Sequence, residues 1–241
     1  MLGRKIKVKE MIFIAVMYTF VYGVTTFATK VPVFLSQYAL PTIIPATFAT
    51  ILITLLFSQV SAVFFSILIS LGVLFITSFQ PIPFLFILSS SIAAAIVVEK
   101  NDHRIDMVFS SIILSILNIV FMFALSIIVN VDSGFKAFSL FGVALNAFIS
   151  GIFALGFLTP LESWFNTASI FRLMDLSDTN NKIMKHLIFN ASGTYHHSIM
   201  VATLAESACR KIGANPILAR VGAYYHDIGK IIHPRFFTEN V

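Results

Sequence analysis

The longest uncharged stretch of this sequence lies between Lys30 and Glu99 and contains no Asp, Glu, Lys or Arg. Two shorter stretches, residues 107–131 and 137–161, also lack these four residue types. Charged residues make up only 11% of the chain, whereas soluble domains carry about 25%. Because about 20 consecutive apolar residues cross the roughly 30 Å of bilayer hydrocarbon, the chain is predicted to be a polytopic membrane protein embedded in a lipid bilayer.

About six membrane spans fit these stretches, at residues 11–29, 38–57, 60–79, 82–98, 108–129 and 137–159. An even number of spans places both termini on the same side of the membrane. Lys and Arg are concentrated at residues 4–9 and in the loop at 99–104, which share that side. The positive-inside rule therefore predicts a multi-pass protein of the cell membrane with both termini in the cytoplasm.

Proline and asparagine residues interrupt the apolar pattern inside the predicted spans. Pro41 and Pro45 fall in the second span and are expected to kink it or to form a short extramembrane turn. Asn118 and Asn146 are expected to hydrogen-bond across helices. No ionisable side chain falls inside a predicted span, which argues against an ion-coupled transporter.

Composition also argues against a nucleic-acid-binding protein and against a secreted domain. The net charge is +5, but no basic stripe with interleaved aromatic residues is present, so no DNA or RNA polymer is expected as a partner. The single cysteine, Cys209, rules out an intrachain disulfide, as suits a cytoplasmic segment.

Charged residues return after Pro160, and the remaining sequence is predicted to be α-helical without strands. We expect a connecting helix at 161–176 and further helices at 183–189, 194–212 and 216–227. Gly213 and Asn215 have the residue types of a helix end and a helix cap. The predicted domains are a transmembrane helical module at 1–160, a connecting helix and linker at 161–185, and a cytoplasmic domain at 186–241.

Histidines are concentrated near the end of the chain, where five of the six lie within the last 56 residues: His186, His196, His197, His226 and His233. His197 shares a helical stripe with Val201, Leu204 and Ala208 and is expected to point towards the core. His226 and Asp227 stand at the end of the next predicted helix. Imidazole and carboxylate are suitable ligands for zinc, iron or manganese. On the residues alone, a shared metal site and separate core and capping roles are both open.

Lys230 follows Asp227 by three residues, close enough on a turn to face a phosphate group as a point charge. Two metal ions about 3.5–4 Å apart would polarise a phosphoryl group and lower the pKa of a water molecule. A metal site formed by His197, His226 and Asp227 therefore predicts hydrolysis of phosphate esters.

Several segments between residues 161 and 240 carry a family resemblance: 173–178 (LMDLSD), 193–198 (GTYHHS), 212–216 (IGANP), 218–230 (LARVGAYYHDIGK) and 239–240 (EN). In these segments the chain resembles the HD-domain phosphohydrolases that are tethered to a seven-helix membrane module. That family includes bacterial cyclic di-AMP phosphodiesterases. Ser192 stands where the family usually has proline, which affects the helix entry more than the metal site.

The resemblance implies a function and a set of site residues. His197, His226 and Asp227 would be metal ligands, with Asp227 bridging two divalent ions, manganese or iron. Asp227 and Lys230 would serve catalysis, Lys230 as the lysine of the HD-x-G-K motif. The implied reaction is hydrolysis of a cyclic dinucleotide, most simply cyclic di-AMP to linear pApA.

The resemblance also implies that the 241 residues are the middle part of a longer protein. Family members carry an extracellular domain before this point, and their HD domain continues with further His and Asp ligands, so residues 186–241 would be its N-terminal part. The isolated 241-residue chain is therefore expected to be inactive. The alternative is a non-catalytic membrane module or gene remnant whose incomplete HD segment only binds a nucleotide or a partner. Homo-oligomer formation is open.

Overall fold

The computed structural model describes residues 8–34, 36, 38–128 and 133–241, and all regular structure in these residues is helical. The chain divides into one unit from Met1 to Thr167 and a second unit from Ala168 to Val241. The first unit contains α1 (Val8–Ala28), α2 (Ala46–Leu56), α3 (Gln59–Ile76), α4 (Pro81–Val98), α5 (Arg104–Ile128) and α6 (Ser133–Phe165). The second contains α7 (Ile170–Ser177), α8 (Lys182–Asn190), α9 (Ser192–Ile212) and α10 (Pro216–Tyr225).

Five helices of the first unit have the length and composition of membrane spans. They are α1, α3, α4, α5 and the Ala137–Phe165 part of α6. Their outward faces carry large apolar side chains, such as Phe109 and Phe141, which are 60% and 67% exposed. The predicted all-α membrane bundle is thus confirmed, and the chain is a membrane protein.

The second predicted span, 38–57, differs from the other five because it is broken into two short helical pieces. A 3₁₀ turn at Leu40–Thr42 precedes α2, and Pro45 lies immediately before the first residue of α2. The 11 residues of α2 reach only about 16 Å, which is about half of the hydrocarbon thickness. Nine of these 11 residues are buried. The prolines therefore break this segment inside the bundle.

Asn146 of α6 hydrogen-bonds to the backbone at this break. Its Nδ2 donates to the carbonyl oxygens of Thr42 at 2.8 Å and Ile44 at 3.2 Å. Irregular backbone is tolerated at membrane depth only where protein or water satisfies its polar groups. The predicted interhelix hydrogen bond of Asn146 is thus confirmed, with the broken segment as its partner. Asn118 is buried, and its Oδ1 has no hydrogen-bond partner within the described ranges.

Replacing Asn146 with leucine is expected to lower the free energy of unfolding by about 1–3 kcal/mol, because two partly buried carbonyl groups lose their donor. The measurement is the thermal unfolding midpoint of the detergent-solubilised protein. Asn118→Leu is the matched control: it removes a buried polar atom without a partner and should leave the midpoint unchanged or higher. Equal losses in both variants would contradict a specific role for Asn146.

The predicted connecting helix at 161–176 was wrong, because the structure breaks the chain inside that range. Helix α6 continues through Pro160 as far as Phe165, whose ring packs edge-on against Phe13 at 5.2 Å between centroids. Asn166 then adopts a left-handed conformation with φ 49°. The Ser169 side chain caps α7 by accepting a hydrogen bond from the Arg172 N–H. The aromatic contact holds the end of α6, and α7 begins as a separate helix.

In the second unit, α8, α9 and α10 enclose a small core, which includes Met184, Leu187, Ala202 and Ala223. The caps predicted from sequence are confirmed: Gly213 ends α9 with φ 69°, and Asn215 caps α10 through its side chain.

The predicted core face of α9 was wrong. The buried side chains repeat every four residues at Thr194, Ser198, Ala202 and Glu206, whereas His197 is exposed and Leu204 is 70% exposed. Small side chains on the buried stripe permit close packing, and hydropathy alone favoured the wrong stripe.

Candidate metal centre

The start of α9 and the end of α10 bring His197, His226 and Asp227 together. One potential ligand atom from each residue lies within 4.8 Å of the other two. The rings of His197 and His226 are 5.5 Å apart between centroids. Helix α10 ends at Tyr225, and the chain turns into a 3₁₀ turn at Ile228–Ile231, which leaves His226 and Asp227 at the corner. Two residues adjacent in sequence thus meet a histidine that lies 29 positions earlier.

The donor atoms fit a divalent metal ion. The Nε2 of His226 lies 3.3 Å from Asp227 Oδ2, and ligand atoms about 2.1 Å from one ion are separated by about 3 Å. The Nδ1 of His226 lies 2.8 Å from the Ala223 carbonyl oxygen. That hydrogen bond places the proton on Nδ1 and leaves the Nε2 lone pair for a metal, which is the usual arrangement of a metal-binding histidine.

Lys230 is held between two carboxylates beside this cluster. Its Nζ lies 2.8 Å from Asp227 Oδ2 and 2.7 Å from Glu239 Oε1, and 4.9 Å from the centroid of the Phe237 ring. The hydrogen bond from Lys230 lowers the pKa of Asp227. The same bond and the one to Glu239 raise the pKa of Lys230. Both groups therefore stay charged near neutral pH, and the Asp227 carboxylate carries a negative charge beside the two histidines.

The turn that carries Glu239 is docked on the first residues of α9. Asn240 accepts a hydrogen bond from the Thr194 N–H at 2.9 Å and donates one to Thr194 Oγ1 at 2.8 Å. Gly193 allows this approach, because a Cβ at this position would overlap the Glu239 carbonyl oxygen. Sequence reasoning did not assign roles to these residues, although 193–198 and 239–240 were among the segments with a family resemblance.

Glu206 links α9 to α10 through an ion pair. Its carboxylate pairs with Arg210, 2.7 Å away on the same helix, and with Arg220 on α10. The hydrogen bond from Arg210, reinforced by Arg220, lowers the pKa of Glu206. This buried carboxylate fixes the helix that carries His197 against the helix that leads to His226.

The other histidines of this unit stand apart from the cluster. His196 packs edge-on against the Tyr195 ring, and His233 packs against Phe236. His186 is exposed on α8. Across the described ranges, no second group of three His, Cys, Asp or Glu side chains has metal-binding geometry.

Comparison with known proteins places this combination of a membrane bundle and a His/Asp site in a class of membrane-bound HD-domain proteins. Residues 3–169 match the family described as a 7TM receptor with intracellular HD hydrolase, and residues 194–240 match the HD domain. The chain belongs to this family of 7TM receptors with an intracellular HD hydrolase. HD domains use divalent metal ions, in agreement with the donor set described above.

Three individual proteins are also similar to this chain in sequence. The cyclic-di-AMP phosphodiesterase PgpH of Bacillus subtilis (strain 168) is 34% identical over 207 residues, which cover 82% of this chain and 29% of that protein. The cyclic-di-AMP phosphodiesterase PgpH of Listeria monocytogenes is 31% identical over 231 residues, covering 91% of this chain and 32% of that protein. An uncharacterised Synechocystis protein is 40% identical over 103 residues, covering 43% and 12%. No solved structure matches.

The chain thus spans about 30% of the length of the two phosphodiesterases.

Proposed function

We propose that this protein is a membrane-anchored, metal-dependent phosphodiesterase that hydrolyses a cyclic dinucleotide, cyclic di-AMP, to linear pApA. The observation that carries the proposal is the meeting of His197, His226 and Asp227 within 4.8 Å. The phosphodiesterases named above supply the substrate class, since both are described as acting on cyclic di-AMP.

In this proposal His197, His226 and Asp227 would contribute ligands to a site for two divalent ions, manganese or iron, with Asp227 as the shared ligand. When bound, such ions neutralise charge on the phosphoryl oxygens and lower the pKa of a water molecule. His226 is set for this role by its hydrogen bond to Ala223, which orients Nε2. Asp227 is set for it by Lys230, which keeps the carboxylate ionised.

Lys230 has a second role in the proposal, as a cation that binds a phosphate oxygen of the substrate. Its Nζ lies beside the cluster and is held by Asp227 and Glu239. An ammonium group has three donors, so the two carboxylates leave one donor for the phosphate. Glu239 and Phe237 restrict the side chain and thereby position the charge.

We also propose that the cluster faces the cytoplasm. Lys and Arg at residues 4–9 and in the 99–104 loop support this orientation through the positive-inside rule. The proposed domain order is the one predicted from sequence, a membrane module, a connecting segment and HD-domain residues, with the end of the membrane module moved from residue 160 to Thr167.

A second candidate function is binding of a cyclic dinucleotide without hydrolysis. It is favoured by the number of ligands, because only three side chains meet in the part of the chain that the structure describes. Three protein ligands suffice for one ion, whereas two-ion hydrolysis needs ligands for both ions.

The test uses the protein expressed from its complete native reading frame and purified in lipid nanodiscs. Cyclic di-AMP is incubated with the protein and Mn²⁺ or Fe²⁺, and linear pApA is measured by chromatography. We expect turnover that a chelator abolishes and that added Mn²⁺ restores. Cyclic di-GMP tests the choice of nucleobase in the same assay. Binding of cyclic di-AMP without any linear product in either metal would favour the second candidate.

A further inference from the structure

Tyr225, the residue before His226, joins three separate elements of the second unit through its hydroxyl group. The hydroxyl donates a hydrogen bond of 2.8 Å to the Leu176 carbonyl oxygen, and it accepts a hydrogen bond from Asn181 Nδ2. Leu176 lies in the last turn of α7, and Asn181 is the N-cap of α8. One phenolic oxygen therefore connects the ends of α7, α8 and α10.

Each of these hydrogen bonds satisfies a group that the helices leave without a partner. The last four carbonyl groups of an α-helix have no intrahelical donor, and the carbonyl of Leu176 is one of these in α7. Asn181 uses its Oδ1 to accept the Met184 N–H of α8, which leaves Nδ2 to donate to Tyr225. The hydroxyl can donate once and accept twice, so both bonds form on one oxygen.

The position of Tyr225 in α10 links these bonds to the His/Asp cluster. Successive residues of an α-helix are about 100° apart, so fixing Tyr225 on the α7 and α8 side also fixes the direction of His226. The His226 ring is bonded to the Ala223 carbonyl of the same helix, and it therefore follows any rotation of the last turn of α10. The distance from His226 Nε2 to the His197 ring then depends on where Tyr225 is held.

We propose that Tyr225 is a positioning residue for the metal ligands His226 and Asp227, acting through its hydrogen bonds to Leu176 and Asn181. The inference rests on the proposed function, because it requires the three-residue cluster to bind a metal. In this inference Tyr225 is not itself a metal ligand, and it acts through its two hydrogen bonds. Its effect is to hold the end of α10 in the orientation that directs His226 towards His197.

Two variants break this connection in different ways. Tyr225→Phe removes the hydroxyl and leaves the Leu176 carbonyl and the Asn181 amide without their partner. Asn181→Ser keeps the cap of α8, because serine caps helices as well as asparagine, but its side chain is too short to reach Tyr225. Tyr224→Phe is the matched control, since Tyr224 is the preceding residue of α10 and packs in the core of this unit, and its change leaves the bonds to Leu176 and Asn181 in place.

The experiment measures Mn²⁺ affinity of the full-length protein in nanodiscs by electron paramagnetic resonance, independently of turnover. Removing groups that orient metal ligands typically weakens binding by about 10- to 100-fold. Tyr225 acts one step further away, so we expect about a three- to tenfold rise in Kd for Tyr225→Phe and Asn181→Ser. Saturating Mn²⁺ should restore kcat to within about twofold, because the substrate contacts are intact.

The outcomes separate this inference from the proposed function. A wild-type protein that does not bind Mn²⁺, or a His197→Ala variant that binds it unchanged, would overturn both. Wild-type binding that depends on His197, with Tyr225→Phe equal to Tyr224→Phe, would overturn the positioning role alone. Loss of kcat that saturating Mn²⁺ does not restore would also overturn it, because Tyr225 would then act on substrate or on folding. Thermal unfolding midpoints measured in the presence of a chelator show whether the variant is less stable than the wild-type protein without metal.

Discussion

Asp227→Ala is expected to lower kcat for cyclic di-AMP hydrolysis by a factor on the order of 10³. The substitution removes the only carboxylate of the His/Asp cluster in the described residues, together with several kcal/mol of metal-dependent charge stabilisation. It also frees Lys230 from one of its two carboxylate partners. The measurement is the rate of pApA formation at saturating Mn²⁺ by the full-length protein in nanodiscs.

The control for this variant is Asp102→Ala, the same substitution at an exposed residue in the loop between α4 and α5. It should retain activity within about twofold, since surface substitutions rarely change stability by more than about 0.5 kcal/mol. Unchanged turnover in Asp227→Ala would refute its role as the shared metal ligand. Its thermal midpoint should be measured alongside, so that unfolding is not mistaken for loss of chemistry.

Gly193→Ala should destabilise the second unit by about 1–3 kcal/mol, because the new methyl group would overlap backbone atoms of Glu239. Moving the turn at Thr238–Asn240 would relieve this overlap. That movement breaks the hydrogen bonds between Asn240 and Thr194 and withdraws Glu239 from Lys230. We therefore expect a lower unfolding midpoint together with a higher KM, since Lys230 is no longer held for the phosphate.

Gly222→Ala is a control that is expected to change the stability of the second unit in the opposite direction. Gly222 lies within α10, and a Cβ there would meet no atom within 4 Å. Alanine is favoured over glycine inside a helix by about 0.5–1 kcal/mol, so this variant should unfold at a higher temperature. A Gly193→Ala protein that is as stable as Gly222→Ala would contradict the docking of the 238–240 turn on α9.

The membrane bundle could be predicted from sequence because uncharged stretches of span length leave few other possibilities. The break at Leu40–Thr42 could not, since hydropathy is the same for a continuous span and for two buried pieces. Pro41 and Pro45 indicated a kink or a short extramembrane turn, but a break inside the bundle also needs the hydrogen bonds of Asn146, about 100 residues further along the chain.

Prediction of the second unit succeeded for local signals and failed for tertiary ones. The caps at Asn215 and Gly213 depend on neighbouring residues and were found. The buried face of α9 was missed because Thr194 and Ser198 are small and polar. Glu239 contacts Lys230, and Asn240 contacts Thr194. Neither pair has a spacing that is typical of a helix or a strand, so the sequence pattern could not predict these contacts.

The hydrogen bonds of Asn146 connect the interrupted second span to the long helix α6. Helix α6 runs without interruption from Asn146 to Phe165, a distance of about 28 Å along its axis. A shift of the Thr42–Ile44 backbone would therefore be transmitted along α6 to the contact between the Phe13 and Phe165 rings. Pro160 is the one residue between Asn146 and Phe165 that lacks a backbone N–H. Any bending of α6 is therefore expected at Pro160.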